Sequence, residues 1–308
     1  MLWIIEHVFS CFRGVLSFFP FPSHLIHLQY YVDIPYNIKR FRFVGKVYIL
    51  GCRIAGMNPE TKLRICGIEN MSTIDYYGMV SIVVFCAGCK FHCPYCQNSA
   101  LIPMDSGEEV NLFYIMDRIK RNRLVLNAIV FTGGEPTLQS DGVIECAKLA
   151  KDIGLKVMLN TNGTNWENLR KILYSGYIDR VALDVKAPPE IEEYRIFSDN
   201  PVGAIWSVDT CLKVCKKLGI EMEVRTTVAP DVSDSPDYIR KIANFIKDRC
   251  DVYYLQQYDN LGDVLDPEMK KKSPPTRDKM FSLAQEALST GLKNVFIKTR
   301  VDGLEKIG

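Results

Sequence analysis

The chain has 308 residues, 47% of them hydrophobic and 24% charged, with a net charge of +2. That length suits one large or two small domains, and so even a charge carries no basic nucleic-acid footprint. Eleven cysteines, an odd number in a chain this long, argue against a secreted disulfide framework and fit a reducing cytoplasm.

Residues 1–56 read as an atypical N-terminal segment, rich in aromatic and aliphatic side chains and broken by Pro20, Pro22 and Pro35. Leu2 to Phe19 has roughly the length of a membrane span, but Glu6, His7 and Arg13 argue against one, and no signal-peptide pattern is evident. Two readings stand: a genuine, poorly ordered extra segment, or an upstream stretch wrongly read as coding before a start at Met57. Residues 57–308 read as the catalytic domain.

From Lys62 the pattern becomes regular. Leu63–Ile68 alternates as a short strand, Ser72–Gly78 reads as a polar loop, and the apolar run at 80–86 reads as a buried strand. Asn111 caps a helix with Leu112, Ile115, Met116 and Ile119 on one face. Strands follow at 128–131, 156–159, 180–185, 221–228, 252–255 and 295–297. Between them lie helices marked by Val143, Ala147 and Ala150, by Leu169 and Ile172, by Val208 and Leu212, by Ile239 and Ile242, and by Leu283 and Ala287. Lys270–Lys272 and Pro274–Pro275 read as a loop. About six strand–helix repeats predict an α/β fold, a partial (βα)6 TIM-type barrel of parallel strands, with functional loops at the strands' C-terminal ends.

The densest chemistry follows the strand at 80–86. Cys89, Cys93 and Cys96 stand at spacings of four and three. Three readings compete: thiols without metal; a zinc site completed by Cys86 or His92; and an iron–sulfur cluster with three thiolates and one open iron. Cys86 reads as a strand-end packing residue, because a fourth thiolate would close the open iron. Cys211 and Cys215, four apart on a helix, read as small apolar core positions.

Thr132-Gly133-Gly134-Glu135-Pro136 follows the next strand. Paired glycines there let backbone approach a ligand, with the Glu135 carboxylate nearby.

The cysteine and Gly-Gly-Glu-Pro motifs together resemble the radical S-adenosylmethionine superfamily over about residues 62–260. Within it, Ser72–Gly78, Asn160-Thr161-Asn162-Gly163 and Leu183-Asp184-Val185-Lys186 resemble glycyl-radical-enzyme activating enzymes, among them the longer type of anaerobic ribonucleoside-triphosphate reductase activating protein. The resemblance implies a [4Fe–4S] cluster on Cys89, Cys93 and Cys96, with S-adenosylmethionine on the open iron. It implies Tyr95 near the adenine, Gly133, Gly134 and Glu135 at the methionine amino group, and Lys186 at the carboxylate. Asp184 and Asn160 match a cation site in a relative that has Asp in place of Asn160, and Arg225 is a further candidate facing the cofactor. A histidine stands in the family where this chain has Asp259.

The implied activity is reductive cleavage of S-adenosylmethionine to a 5′-deoxyadenosyl radical, which takes hydrogen from a glycine of a partner glycyl-radical enzyme. A flavodoxin or ferredoxin is the implied electron donor, the cytoplasm the implied compartment, and neither membrane nor nucleic acid is implied. The alternatives are a radical enzyme acting on a small molecule, such as 7-carboxy-7-deazaguanine synthase, a zinc-binding interaction module, and a membrane-anchored variant using residues 2–19.

Overall fold

The computed structural model describes residues 48–49, 52–53 and 60–308. Contacts divide the chain into Met1–Gly56 and Met57–Gly308. In the first unit Tyr48–Ile49 (β1) pairs antiparallel with Cys52–Arg53 (β2). The stretch at 2–19 lies outside the described residues, and no helix among those described is long and apolar enough to cross a membrane.

The second unit carries the site. Its strands and helices run Lys62–Ser72 (β3), Ser81–Cys86 (β4), Glu108–Asn111 (β5), Leu112–Arg121 (α1), Ala128–Gly133 (β6), Ser140–Asp152 (α2), Lys156–Thr161 (β7) and Trp166–Tyr174 (α3). They continue with Arg180–Asp184 (β8), Ile191–Tyr194 (α4), Pro201–Leu218 (α5), Glu221–Val228 (β9), Pro236–Ile246 (α6), Val252–Gln257 (β10), Pro267–Lys271 (α7), Arg277–Ser289 (α8), Val295–Thr299 (β11) and Gly303–Lys306 (β12).

One sheet of ten strands holds them in the order β12-β11-β10-β9-β8-β7-β6-β4-β3-β5. The seven strands from β4 through β6–β11 run parallel, and β3, β5 and β12 are antiparallel additions at the two margins. The margins do not pair with each other, so the barrel is open. Six strand-to-helix crossings before β11 make the expected partial (βα)6 barrel.

Several helices begin where a side chain satisfies free N–H groups. Asn111 Oδ1 accepts from Tyr114 N, Ser235 caps α6 with Pro236 at its first turn, and Thr276 caps α8. The apolar stripe of each helix then covers the outer sheet face: Leu112, Ile115 and Ile119 of α1 and Ile239, Ile242 and Ile246 of α6 are fully or nearly fully buried. Cys211 and Cys215 lie in this buried layer on α5.

The inner face follows the two-residue period of the strands. Tyr76, Val83, Ala128, Val130, Met158 and Ala182 form an apolar cluster in the lumen. Tyr76 comes from the 72–78 segment, so that segment is not merely a polar loop: its aromatic side chain enters the barrel and stacks against the Arg180 guanidinium, 4.5 Å from ring centroid to Cζ. Arg180 also pairs with Glu221 and Glu223.

Two other expectations change. The strand at 63–68 extends to Lys62–Ser72, because its pairing with both β4 and β5 supports the added residues. Lys270 and Lys271 lie in α7, whose start is capped by Asp266 and opened by Pro267. The short elements β5, β12 and α4 have too few residues for a periodic signal and carry no sequence expectation.

Candidate active site

A cavity of about 490 Å³ opens at the C-terminal ends of the parallel strands. This is the size of a cofactor site and the end of the barrel where catalytic loops collect. Cys89, Cys93, Tyr95 and Cys96 reach it from the loop after β4, Gly133 and Gly134 from the end of β6 and the turn after it, Asn160 from β7, and Asp184 and Lys186 from the end of β8 and the residues after it. A cavity of similar size at the strands' N-terminal ends is lined by Lys156, Asp179, Arg180 and Glu221, whose charges are paired as Lys156–Asp179 and Arg180–Glu221.

The cysteine loop is held by backbone bonds from three sides. Gly88 N and Cys89 N donate to the carbonyls of Leu101 and Ile102 at 2.8 and 3.0 Å. Leu265 N and Asp266 N donate to the carbonyls of Cys96 and Pro94, both at 3.0 Å, and His92 N reaches the Phe197 carbonyl at 3.1 Å. The Gly-Gly turn lies directly beneath: Gly134 N bonds the Cys86 carbonyl at 2.8 Å and Glu135 N the Gly88 carbonyl at 2.6 Å. A side chain at Gly133 would overlap the Cys86 backbone, and one at Gly134 the Gly88 carbonyl. Gly133 also sits at φ +113°. The paired glycines therefore let two loops meet, in addition to exposing backbone to the cavity.

Burial pushes the Cys89 thiol up to about 11 and the Cys93 thiol up to about 12. Without a bound cation both would stay protonated at neutral pH; coordination to a metal deprotonates a thiol outright. Lys186 lies beside them, its Nζ 2.9 Å from Asp184 Oδ2 and 6.0 Å from the Tyr95 ring centroid. Burial alone would lower its pKa, but the Asp184 carboxylate, hydrogen-bonded to it, holds it above the usual lysine value. The ammonium is thus kept charged in a largely dry place.

Two candidates stand apart from the cavity lining. Glu135 is 1% exposed, and its carboxylate is spent on protein donors: Thr137 N, Thr137 Oγ1, Thr161 Oγ1 and Asn162 N. Arg225 points into a smaller, neighbouring cavity of about 200 Å³, where it pairs with Glu223 and reaches the Asp75 carbonyl. Cys86 is wholly buried at the end of β4 and His92 is exposed; neither lines the cavity. Among the described residues no three His, Cys, Asp or Glu side chains converge as a single bound ion would require.

The cavity also has lining residues that the sequence does not single out as candidates: Ile74, Thr132 and Asn162, which lie within the quoted motifs, and Gln256, Gln257, Lys298 and Arg300, which lie outside them. Asp259 is there too, paired with Arg300 at 2.9 Å.

The Radical SAM superfamily profile matches residues 83–246. A Methanocaldococcus jannaschii protein provisionally named a glycyl-radical enzyme activating enzyme is 37% identical over 241 residues, 77% of this chain and 97% of that protein. The pyruvate formate-lyase-activating enzyme of Clostridium pasteurianum is 30% identical over 205 residues, 65% of this chain and 83% of the relative. Among solved structures, a radical SAM methyltransferase from Sphaerobacter thermophilus superposes with a TM-score of 0.57 at 16% identity, covering 72% of this chain and 67% of that one, a likeness of fold. The chain belongs to the Radical SAM superfamily and is an enzyme of that type.

The residues present fit the group this family implies, a [4Fe–4S] cluster with S-adenosylmethionine. Three cysteines line one cavity, and two of its lining residues, Tyr95 and Asn160, each carry a buried oxygen (Oη and Oδ1) with no partner among the described residues. The charged Lys186 ammonium at the same wall is suited to a carboxylate.

Proposed function

We propose that this chain activates a glycyl-radical enzyme, with Cys89, Cys93 and Cys96 as the three protein ligands of a [4Fe–4S] cluster. The observation that carries the reading is that Cys89, Cys93 and Cys96, the Gly133–Gly134 turn, Asn160 and the Asp184–Lys186 pair all line one cavity at the strand ends. Cluster and S-adenosylmethionine together supply, on one-electron reduction, methionine and a 5′-deoxyadenosyl radical, which removes a hydrogen atom from a glycine Cα of the partner.

The protein's own part is binding and orientation. Lys186, set in place by Asp184, binds the cofactor carboxylate through a charge-assisted hydrogen bond. Gly133 and Gly134 offer backbone to the amino group. Tyr95, wedged edge-on against Phe197 at 5.8 Å between ring centroids, forms the wall on the adenine side. Asn160, whose buried Oδ1 has no partner among the described residues, lines the same space. Glu135 acts at one remove, tying the Gly-Gly turn to the end of β7. Arg225 supports the lumen through Glu223. The open side of the barrel admits a loop of a large partner.

Both relatives described above are named as activating enzymes, which supports this reading over a small-molecule substrate. The test is anaerobic incubation with S-adenosylmethionine, a reductant and a candidate partner, either an anaerobic ribonucleotide reductase or pyruvate formate-lyase. A glycyl-radical electron paramagnetic resonance doublet on the partner, with one 5′-deoxyadenosine formed per radical, is the expected result. Cofactor cleavage without a partner radical in either case would contradict the activase reading.

A further inference from the structure

The turn that follows β7 is pinned at many points. Thr161 Oγ1 donates to Glu135 Oε1 at 2.7 Å and accepts from Gly163 N at 3.0 Å. Asn162 N donates to Glu135 Oε2 at 2.8 Å, and Ser207 Oγ donates to the Gly163 carbonyl. A side chain at Gly163 would press on Leu183 and Val208.

Within that turn the Asn162 side chain is fixed end to end. Its Oδ1 accepts from Thr164 N at 3.1 Å and from Thr164 Oγ1 at 2.7 Å. The amide could not turn over without setting its own N–H groups against the Thr164 backbone N–H. The NH2 end therefore faces the other way, and there Nδ2 donates to Cys89 Sγ at 3.7 Å. Asn162 is 6% exposed, so water competes little for this contact. Cys89 Sγ also accepts from Phe91 N at 3.4 Å. Among the described residues no hydrogen bond reaches the sulfurs of Cys93 or Cys96. Phe91 N is backbone and is present whatever the side chain, whereas the Asn162 donor is specified by the sequence.

Hydrogen bonds to cluster thiolates favour the reduced, more negative state and raise the reduction potential. We propose that Asn162 is a positioning residue that donates N–H to the Cys89 thiolate and raises the potential of the cluster, with Thr164 and Glu135 holding the amide in place. The inference rests on Cys89 being a cluster ligand. It assigns a task to the Glu135 carboxylate, which faces the Asn162 turn rather than the cavity: through Asn162 it is linked to the cluster.

The experiment is a redox titration monitored by electron paramagnetic resonance on the full chain, reconstituted with iron and sulfide. The parent is compared with Asn162→Ala, Asn162→Asp and Thr164→Val. The midpoint potential is expected to become more negative in Asn162→Ala. It should fall further in Asn162→Asp, where a carboxylate oxygen replaces the donor beside the thiolate. Thr164→Val, which loses one of the two bonds fixing Oδ1, should shift it by less in the same direction. A merely structural Asn162 would lower thermal stability and leave the potential alone.

An unchanged potential in Asn162→Ala with full iron content overturns the inference and leaves the cluster reading intact. If Asn162→Ala fails to hold iron, Thr164→Val decides: a more negative potential supports the inference and an unchanged one overturns it. A parent that takes up no cluster overturns the inference together with the reading on which it rests.

Discussion

Glu135 Oε2 accepts a hydrogen bond from Asn162 N at 2.8 Å, so a carboxylate on the turn after β6 clasps the turn after β7. Its other oxygen takes Thr137 N, Thr137 Oγ1 and Thr161 Oγ1. Glu135→Ala leaves these buried donors without an acceptor and is expected to cost about 3 kcal/mol, within the range for unsatisfied buried groups. Chemical denaturation of the cluster-free chain measures it, and a loss below about 0.5 kcal/mol would contradict the clasp.

The same carboxylate gives a pH signature. Burial raises the Glu135 pKa above the ordinary value, even against its four donors. A folded-state pKa above the unfolded one gives stability that is complete below the unfolded pKa and declines as pH rises through the folded one. The stability of the parent relative to Glu135→Gln is therefore expected to be greatest below about pH 4 and to fall as pH rises from there. Paired thermal melts across that range test the sign; a gap that widens with pH would contradict it.

Gly134 and Gly67 make a matched pair of alanine substitutions. A methyl group at Gly134 would overlap the Gly88 carbonyl, whereas at Gly67 it meets nothing within 4 Å. Gly134→Ala is expected to destabilise by about 3 kcal/mol and to cut iron uptake, since the displaced loop carries the cysteines. Gly67→Ala is expected to be neutral or stabilising by up to about 1 kcal/mol. Equal effects at the two positions would refute the contact between the loops.

Lys186 and Arg225 were both candidates for the cofactor, and the cavity separates them. Lys186→Ala should weaken S-adenosylmethionine binding roughly 10- to 100-fold, the equivalent of one hydrogen bond between charged groups. Arg225→Ala, in the adjoining cavity, should leave that affinity within about twofold, a change well under 1 kcal/mol. Calorimetric titration of reconstituted variants distinguishes them, provided iron content is matched.

Much of this site is legible in the sequence because its key parts are local. Cys89, Cys93 and Cys96 lie within eight residues, and the glycine pair follows directly on an apolar strand. The alternation of strands and apolar helix stripes fixes the barrel for the same reason. What the sequence hides is register. Gln256 and Lys298 lie opposite each other on β10 and β11 and line the cavity, yet polar residues alternating with apolar ones read as a solvated sheet face. In a barrel that face is the lumen. Asn160 and Asn162 look equivalent in Asn160-Thr161-Asn162-Gly163. Only the hydrogen bonds to Glu135 and Thr164 show which of them turns its amide to a cysteine. The capping signal for α7, Asp266 before Pro267, was available but was obscured by the lysines and prolines that follow.

Cysteine substitution separates the proposed cluster ligands from their neighbour. Cys89→Ala, Cys93→Ala and Cys96→Ala should each abolish a stable four-iron cluster, while Cys86→Ala, at a wholly buried position off the cavity, should retain iron and sulfide at the parent level. Loss of cluster in Cys86→Ala alone, with retention in any of the other three, would require a different ligand set.

The central claim is that three thiolates hold a four-iron cluster whose open iron receives S-adenosylmethionine. Its most direct test is the electron paramagnetic resonance spectrum of the chain purified without oxygen, reconstituted with iron and sulfide, and reduced, recorded with and without S-adenosylmethionine. The account predicts a reduced four-iron signal that changes when the cofactor is added, with 5′-deoxyadenosine appearing in the same sample. A colourless protein that binds zinc, or a cluster signal indifferent to S-adenosylmethionine, would contradict it.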